Sequence, residues 1–179
     1  MIEIIAGTNR PGSNTLKVSQ IIEKYYKSLG ADAQILSLEL MPPEIFDTKS
    51  YAEKPAGWSA ITDRILAADG LHIVTPEYNG GFPGVLKYFI DMLPFPQSFE
   101  HRCVCFTGQA AGIWGAFRPV EQLQMIFGYR NAYIMPERVW FTQINNRLDS
   151  NGQLTNEADQ NLLRNQTAAF VDFIKRMKD

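Results

Sequence analysis

The chain has no run of about 18 consecutive apolar residues, so no segment reads as a membrane-crossing helix. Cysteine is scarce. Its two copies, Cys103 and Cys105, are two apart in an expected strand, share a face, and make a poor pair for a disulfide. With His101 they alternate along that strand as a conceivable metal set. Three ligands on one strand without a fourth make a weak site, and buried packing is the expected role of the thiols. Charge of either sign is not in excess: 17 Lys and Arg against 19 Asp and Glu leave a net charge of −2. That gives no electrostatic footprint for nucleic acid or an anionic membrane. The opening Met1-Ile2-Glu3-Ile4-Ile5 lacks the basic region of a signal peptide. Internal repeats and linkers are missing too, and 179 residues suit a single domain, 1–179. These absences lead to the expectation of a soluble, cytoplasmic globular domain, with 45% apolar residues to build its core.

What is present alternates. Ile2 to Ala6 is a short apolar run, the pattern of a strand buried on both faces. Val18, Ile21, Ile22, Tyr25 and Leu29 then follow helical spacing, with Gly30 at the C-cap position. Ala33 to Leu38 predicts a second strand. A long proline-bearing loop over 41–57 follows, able to edge an active site, meet a second subunit, or simply cover surface. Trp58, Ile61 and Ile65 predict a second helix and Leu71 to Thr75 a third strand, with His72 as a structural residue within it. Val85, Leu86, Phe89, Ile90 and Leu93 predict a third helix, and Arg102 to Thr107 a fourth strand. A helix over Phe117 to Tyr129 comes next, then a strand from Ala132 to Met135 with a continuation at Val139 to Thr142. A last helix runs from about Asn156 to Met177, with Leu163, Phe170, Phe173, Ile174 and Met177 inward. Asp149-Ser150-Asn151-Gly152-Gln153 reads as a turn, since the spacing and terminal glutamate of a calcium loop are missing. Five strand–helix units imply a parallel sheet with helices on both faces. In such folds ligands bind at the carboxyl ends of the strands.

Three loops at those ends are chemically loaded, those after strands one, three and four. After the first strand stands Gly7-Thr8-Asn9-Arg10-Pro11-Gly12-Ser13-Asn14-Thr15. Small hydroxyl and amide residues at a helix start cap free N–H groups, and the same groups with the helix dipole form an anion site. Thr8, Ser13, Asn14 and Thr15 can add donors, and the fork of Arg10 matches phosphate oxygens. An ordinary capped helix with one surface arginine is the plain alternative. The loop lacks the three-glycine dinucleotide fingerprint, the Gly-Lys-Ser/Thr ending of a P-loop and the cysteine of a thiolate phosphatase. It reads as a place that holds phosphate rather than cleaves it. After the third strand stands Thr75-Pro76-Glu77-Tyr78-Asn79-Gly80-Gly81. Pro76 ends the ladder, Asn79-Gly80-Gly81 permits positive φ, and Tyr78 offers a flat aromatic surface with a polar tip. A flat heteroaromatic ring would suit it. A tight connector would explain the proline and glycines but not Glu77-Tyr78-Asn79 together.

Gly7-Thr8-Asn9-Arg10-x-x-Ser13 and Thr75-Pro76-Glu77-Tyr78-Asn79-Gly80-x-x-Pro83-Gly84-x-Leu86-Lys87 closely resemble the two signatures of the NADPH-dependent FMN reductase family. That family lies within the flavodoxin-like superfamily and includes quinone, azo-dye and chromate reductases. The resemblance implies an α/β flavodoxin-like three-layer sandwich with a five-stranded parallel sheet of order 2-1-3-4-5. It implies that Thr8, Arg10, Ser13, Asn14 and Thr15 bind the FMN phosphate, and that Pro76, Glu77, Tyr78, Asn79 and Gly80 line the isoalloxazine. A glycine-bearing loop after strand four, with Thr107, Gly108 and Gly112, would let backbone approach the pyrimidine end of the ring. It departs from the commoner pattern, and its Trp114 either covers the flavin or packs. The implied activity is hydride transfer from NADPH or NADH through FMN to a flavin, quinone or similar acceptor, with no side chain as catalytic nucleophile or base. The implied assembly is a homodimer or homotetramer. An electron-carrier flavodoxin or a non-enzymatic FMN-binding protein is the alternative, although such carriers are typically more acidic.

Overall fold

The computed structural model describes residues 1–178. Five strands form one sheet: β1 (Ile2–Ala6), β2 (Ala33–Ser37), β3 (Gly70–Pro76), β4 (Cys103–Gln109) and β5 (Tyr133–Phe141). Their order is β2-β1-β3-β4-β5, with every neighbouring pair parallel. This is the expected order, and the order in which strands are added reverses between β1 and β3, where a ligand crevice opens. Four helices connect the strands, α1 (Asn14–Ser28), α2 (Trp58–Ala67), α3 (Gly84–Met92) and α4 (Phe117–Tyr129), and α5 (Glu157–Lys178) follows the last strand.

Alternation along each strand divides the core. Ile5, Ile73, Val104 and Phe106 meet Trp58, Ile65, Leu86, Phe89, Leu123 and Phe127 of α2, α3 and α4. Ile4, Val74, Cys105 and Val139 meet Val18, Ile22, Tyr26, Leu163 and Phe170 of α1 and α5. Both faces are covered by helices, which explains why the strands read as largely apolar runs.

Several boundaries differ from the expectation for identifiable reasons. β2 stops at Ser37, because the Ser37 hydroxyl accepts from Glu39 N–H and turns Leu38–Leu40 into a 3₁₀ helix. β4 runs two residues beyond Thr107, pairing Gly108 and Gln109 with both neighbours. His101 lies outside that strand at φ 58 and stacks on Tyr133, so it does not share the face of Cys103 and Cys105. β5 is one strand with a register irregularity opposite Val104 to Phe106, beside Pro136, which has no N–H to give. In α1 the inward tyrosine is Tyr26 rather than Tyr25, and Leu29 is exposed. In α5 Met177 is exposed, and Gln166 and Thr167 take inward places. The 41–57 segment forms two single 3₁₀ turns, Pro43–Phe46 and Thr48–Tyr51, and is tied to α3 by Tyr88 O–H donating to the Ile45 carbonyl at 2.8 Å.

Candidate functional site

A cleft of about 500 Å³ opens at the carboxyl end of the sheet. It is walled by residues 10–15 after β1, 76–78 at the end of β3, 109–111 at the end of β4, and Ile144 and Asn145 after β5. None of the 41–57 segment lines it.

The first loop is built to keep amides free. Gly7 begins it because nothing larger fits: a Cβ there would stand 2.8 Å from the Val74 carbonyl oxygen and 2.9 Å from Leu86. Thr8 is buried. Its Oγ1 accepts from Arg10 N–H at 3.3 Å and lies 3.0 Å from the Tyr78 hydroxyl, so it ties the first loop to the third. Gly12 turns the chain at φ 62. Ser13 is the N-cap of α1, its hydroxyl accepting from Leu16 N–H at 3.2 Å. The backbone N–H groups of Gly12, Ser13, Asn14 and Thr15 donate to no acceptor among the described residues. Arg10 is exposed on the same rim and forms no ion pair among the described residues. Four consecutive open amides at a helix N-terminus, with a guanidinium alongside, fit a phosphate dianion.

The third-strand loop is a two-residue turn. Tyr78 and Gly81 exchange backbone hydrogen bonds at 2.8 and 3.1 Å, with Asn79 at φ 52 and Gly80 at φ 78 between them. Positive φ at both central residues is the type I′ geometry, for which Asn-Gly is the favoured pair. The turn presents Glu77 and Tyr78 to the cleft, while Asn79 and Gly80 sit at its outer tip and do not line it. Glu77 does not point freely into the cavity. Its carboxylate accepts from Ala116 N–H at 3.1 Å and from Arg118 Nη1 at 2.7 Å.

The structure separates the fourth-strand set. Thr107 is fully buried on the α1–α5 face, deeper in the strand than the cleft, which it does not line. Its hydroxyl lies 2.6 Å from Gln166 Oε1, which can only accept, so Thr107 donates there. It must then accept from His72 Nε2–H at 2.8 Å, and His72 Nδ1 accepts from Tyr26 O–H at 2.8 Å. Burial in this network pushes the His72 pKa down to about 3. Gly108 serves packing: a Cβ there would meet Ala116 Cβ and the Gly115 carbonyl at 3.0 Å. Gly112 is exposed near the cleft mouth, its carbonyl accepting from Gln143 N–H. Trp114 is exposed beneath the Arg118 guanidinium.

In the place expected for Thr107 stands Gln109, which the sequence reading missed. Its Nε2 donates to Thr15 Oγ1 at 2.9 Å and joins the phosphate loop to β4. Asn145 was also missed; its Oδ1 accepts from Asn14 Nδ2 at 2.7 Å. The signal for Gln109 was available in alternation, since it stands two residues beyond Thr107 on the same face of β4, nearer the carboxyl end where ligands bind. Nothing local marks Asn145, which reaches the cleft across 131 positions of chain.

Comparison with known proteins places these loops in context. Residues 1–146 match the family described as NADPH-dependent FMN reductase. A quinone reductase of Escherichia coli (strain K12) is 30% identical over 179 residues, covering 97% of this chain and 95% of the relative. An FMN-dependent NADPH-azoreductase of Staphylococcus aureus (strain USA300) is 28% identical over 127 residues, covering 69% of this chain and 66% of the relative. Among solved structures, the flavoenzyme NAD(P)H:(acceptor) oxidoreductase FerB from Paracoccus denitrificans superimposes with a TM-score of 0.83 at 24% identity, covering 98% and 97% of the two chains.

Proposed function

The chain belongs to the NADPH-dependent FMN reductase family, and we propose on that premise that the loops just described are its FMN site. The protein is an oxidoreductase that takes hydride from NAD(P)H and passes it through FMN to a small-molecule acceptor, a flavin, quinone or similar compound. The observation that carries the site assignment is the row of four open amides from Gly12 to Thr15 with Arg10 beside them, facing a cleft whose far wall is Glu77 and Tyr78. The row fits the FMN phosphate, with Thr8 and Gln109 bracing it and Asn14 fixed by Asn145. Pro76, Glu77 and Tyr78 face the ring, and the Asn79-Gly80 turn sets their position. Ala110, Ala111 and Gly112 bring backbone toward the opposite edge of the ring. Thr107 and Gly108 serve indirectly, through the packing of β4 and the loop that follows it.

FMN supplies the hydride-accepting centre. The chain supplies orientation and a dry wall, which in favourable cases lowers a barrier by about 7–11 kcal/mol. A single anion site in the cleft suits FMN better than FAD. The protein is proposed to work in the cytoplasm as a homodimer or homotetramer. The deciding experiment is an absorbance spectrum of the purified protein followed by anaerobic titration with NADPH. The flavin released on denaturation should be FMN, and NADPH should bleach the bound oxidised flavin. Lack of flavin affinity would defeat the site assignment; flavin that neither nicotinamide reduces would leave an electron carrier or a binding protein.

A further inference from the structure

Arg118 stands in the first turn of α4, where the helix dipole disfavours a cation. Its side chain is nonetheless held there from two sides. Nη1 donates to Glu77 Oε1 at 2.7 Å, and Cζ lies 4.9 Å from the centre of the Trp114 ring. Glu77 is the deeper partner: its side chain is 10% exposed against 45% for Arg118. The second Glu77 oxygen accepts from the N–H of Ala116, the N-cap residue of α4, whose own side chain cannot cap. Gly115 and Ala116 both lie at positive φ, 62° and 64°, a conformation that an alanine adopts only when its surroundings enforce it. One carboxylate thus caps a helix, holds the 110–116 loop in its turn and forms part of the cleft wall.

That placement has an electrostatic consequence. Reduction adds negative charge to a flavin, and an uncompensated carboxylate in the wall of its site opposes the reduced form. Among the described residues Arg118 is the cation that meets Glu77.

We propose that Arg118 is a positioning residue that neutralises Glu77, fixes the 110–116 loop beside the cofactor and thereby sets the midpoint potential of the bound FMN. The inference rests on the reading that the flavin ring lies against Glu77 and Tyr78. It extends that reading to a residue that does not line the cleft, and to a property, the potential, that site assignment leaves open.

The test is a four-member cycle of wild type, Arg118→Met, Glu77→Gln and the double variant. FMN affinity is measured by fluorescence titration of apoprotein, and midpoint potential by reduction alongside reference dyes. Arg118→Met should weaken the reduced cofactor more than the oxidised one and move the midpoint negative. A tenfold difference between the two affinities corresponds to about 30 mV for a two-electron couple. Glu77→Gln keeps an oxygen for Ala116 N–H, removes the charge, and should move the midpoint the other way. The double variant should return toward wild type, and Arg118→Lys should stay near it. An unchanged midpoint in Arg118→Met, or a double variant that keeps the full negative displacement, overturns the proposal and leaves a structural tie alone. Should Arg118→Met fail to fold, Glu77→Gln decides by itself, since a midpoint equal to wild type overturns the idea. Wild-type protein that takes up no FMN counts against the underlying site reading instead, before any variant is compared.

Discussion

Arg10 and Glu77 carry opposite charges on opposite walls of one cleft, and the structure treats them differently. Glu77 is already satisfied by Ala116 N–H and Arg118, whereas Arg10 stands without an acidic partner among the described residues. A charge held in reserve at a row of open amides is suited to an incoming anion. Arg10→Ala should therefore weaken FMN binding and leave folding nearly untouched, because an exposed side chain with no partner contributes little to the apoprotein. Loss of one charge-assisted hydrogen bond costs roughly 1.5–3 kcal/mol, about 10–100-fold in dissociation constant. Flavin fluorescence titration and thermal melting of apoprotein separate the two effects, and an unchanged dissociation constant would show that Arg10 serves something other than the phosphate.

At the scale of elements, α1, β3, β4 and α5 are joined by a buried chain of hydrogen bonds running Tyr26, His72, Thr107, Gln166. Gln166 Nε2 closes it by donating to the Phe106 carbonyl at 2.8 Å. The chain needs neutral imidazole, since His72 Nδ1 must accept from Tyr26. Burial holds the folded pKa of His72 at about 3, against an ordinary value of 6.5 once unfolded. Between those values the unfolded chain binds a proton that the folded one refuses. The stability contributed by His72 is thus complete above about pH 6.5 and drains away as the pH falls toward 3. From pH 7 to pH 5 the loss is about 2 kcal/mol. His72→Gln lacks the titrating group, so its urea-unfolding free energies at those two pH values should differ by about that much less than those of wild type. Equal pH dependence in the two proteins would mean that His72 is protonated in the folded state.

For the whole molecule, the outer surface of α4 and the loop before β4 expose large apolar side chains, Met125, Tyr129 and Phe95. Met125 is 74% and Tyr129 80% exposed, and Arg130 lies 4.2 Å from the Phe95 ring centre and 5.3 Å from that of Tyr129. Aromatic residues, methionine and arginine are the types enriched in the centres of protein interfaces. The proposed dimer or tetramer should use this surface. Light scattering at micromolar concentration should give at least twice the chain mass, and Met125→Glu should reduce it to one. A wild-type monomer would remove the assembly; a Met125→Glu protein of unchanged mass would move the interface elsewhere.

The sequence by itself determined the strand–helix alternation, the parallel sheet and the two loops that meet at its carboxyl edge. These features are local: apolar runs, helical spacing, a capping serine, and an Asn-Gly pair with the backbone freedom its turn demands. It also pointed to Arg10, Ser13, Asn14, Thr15 and Tyr78 lining one cleft, because they lie on the two loops that leave the carboxyl ends of β1 and β3. What only the tertiary structure decided is which way side chains face where a boundary moved. β4 runs on through Gln109, so Thr107 lies within the strand, buried beside His72, and Gln109, two residues further along the same face, is the one that reaches Thr15 at the carboxyl end. Tertiary structure also decided every pairing across long stretches of chain: Asn14 with Asn145, Tyr26 with His72, Glu77 with Arg118. No local pattern encodes those partners, because each depends on where the assembled sheet places residues that are otherwise free to pair with water.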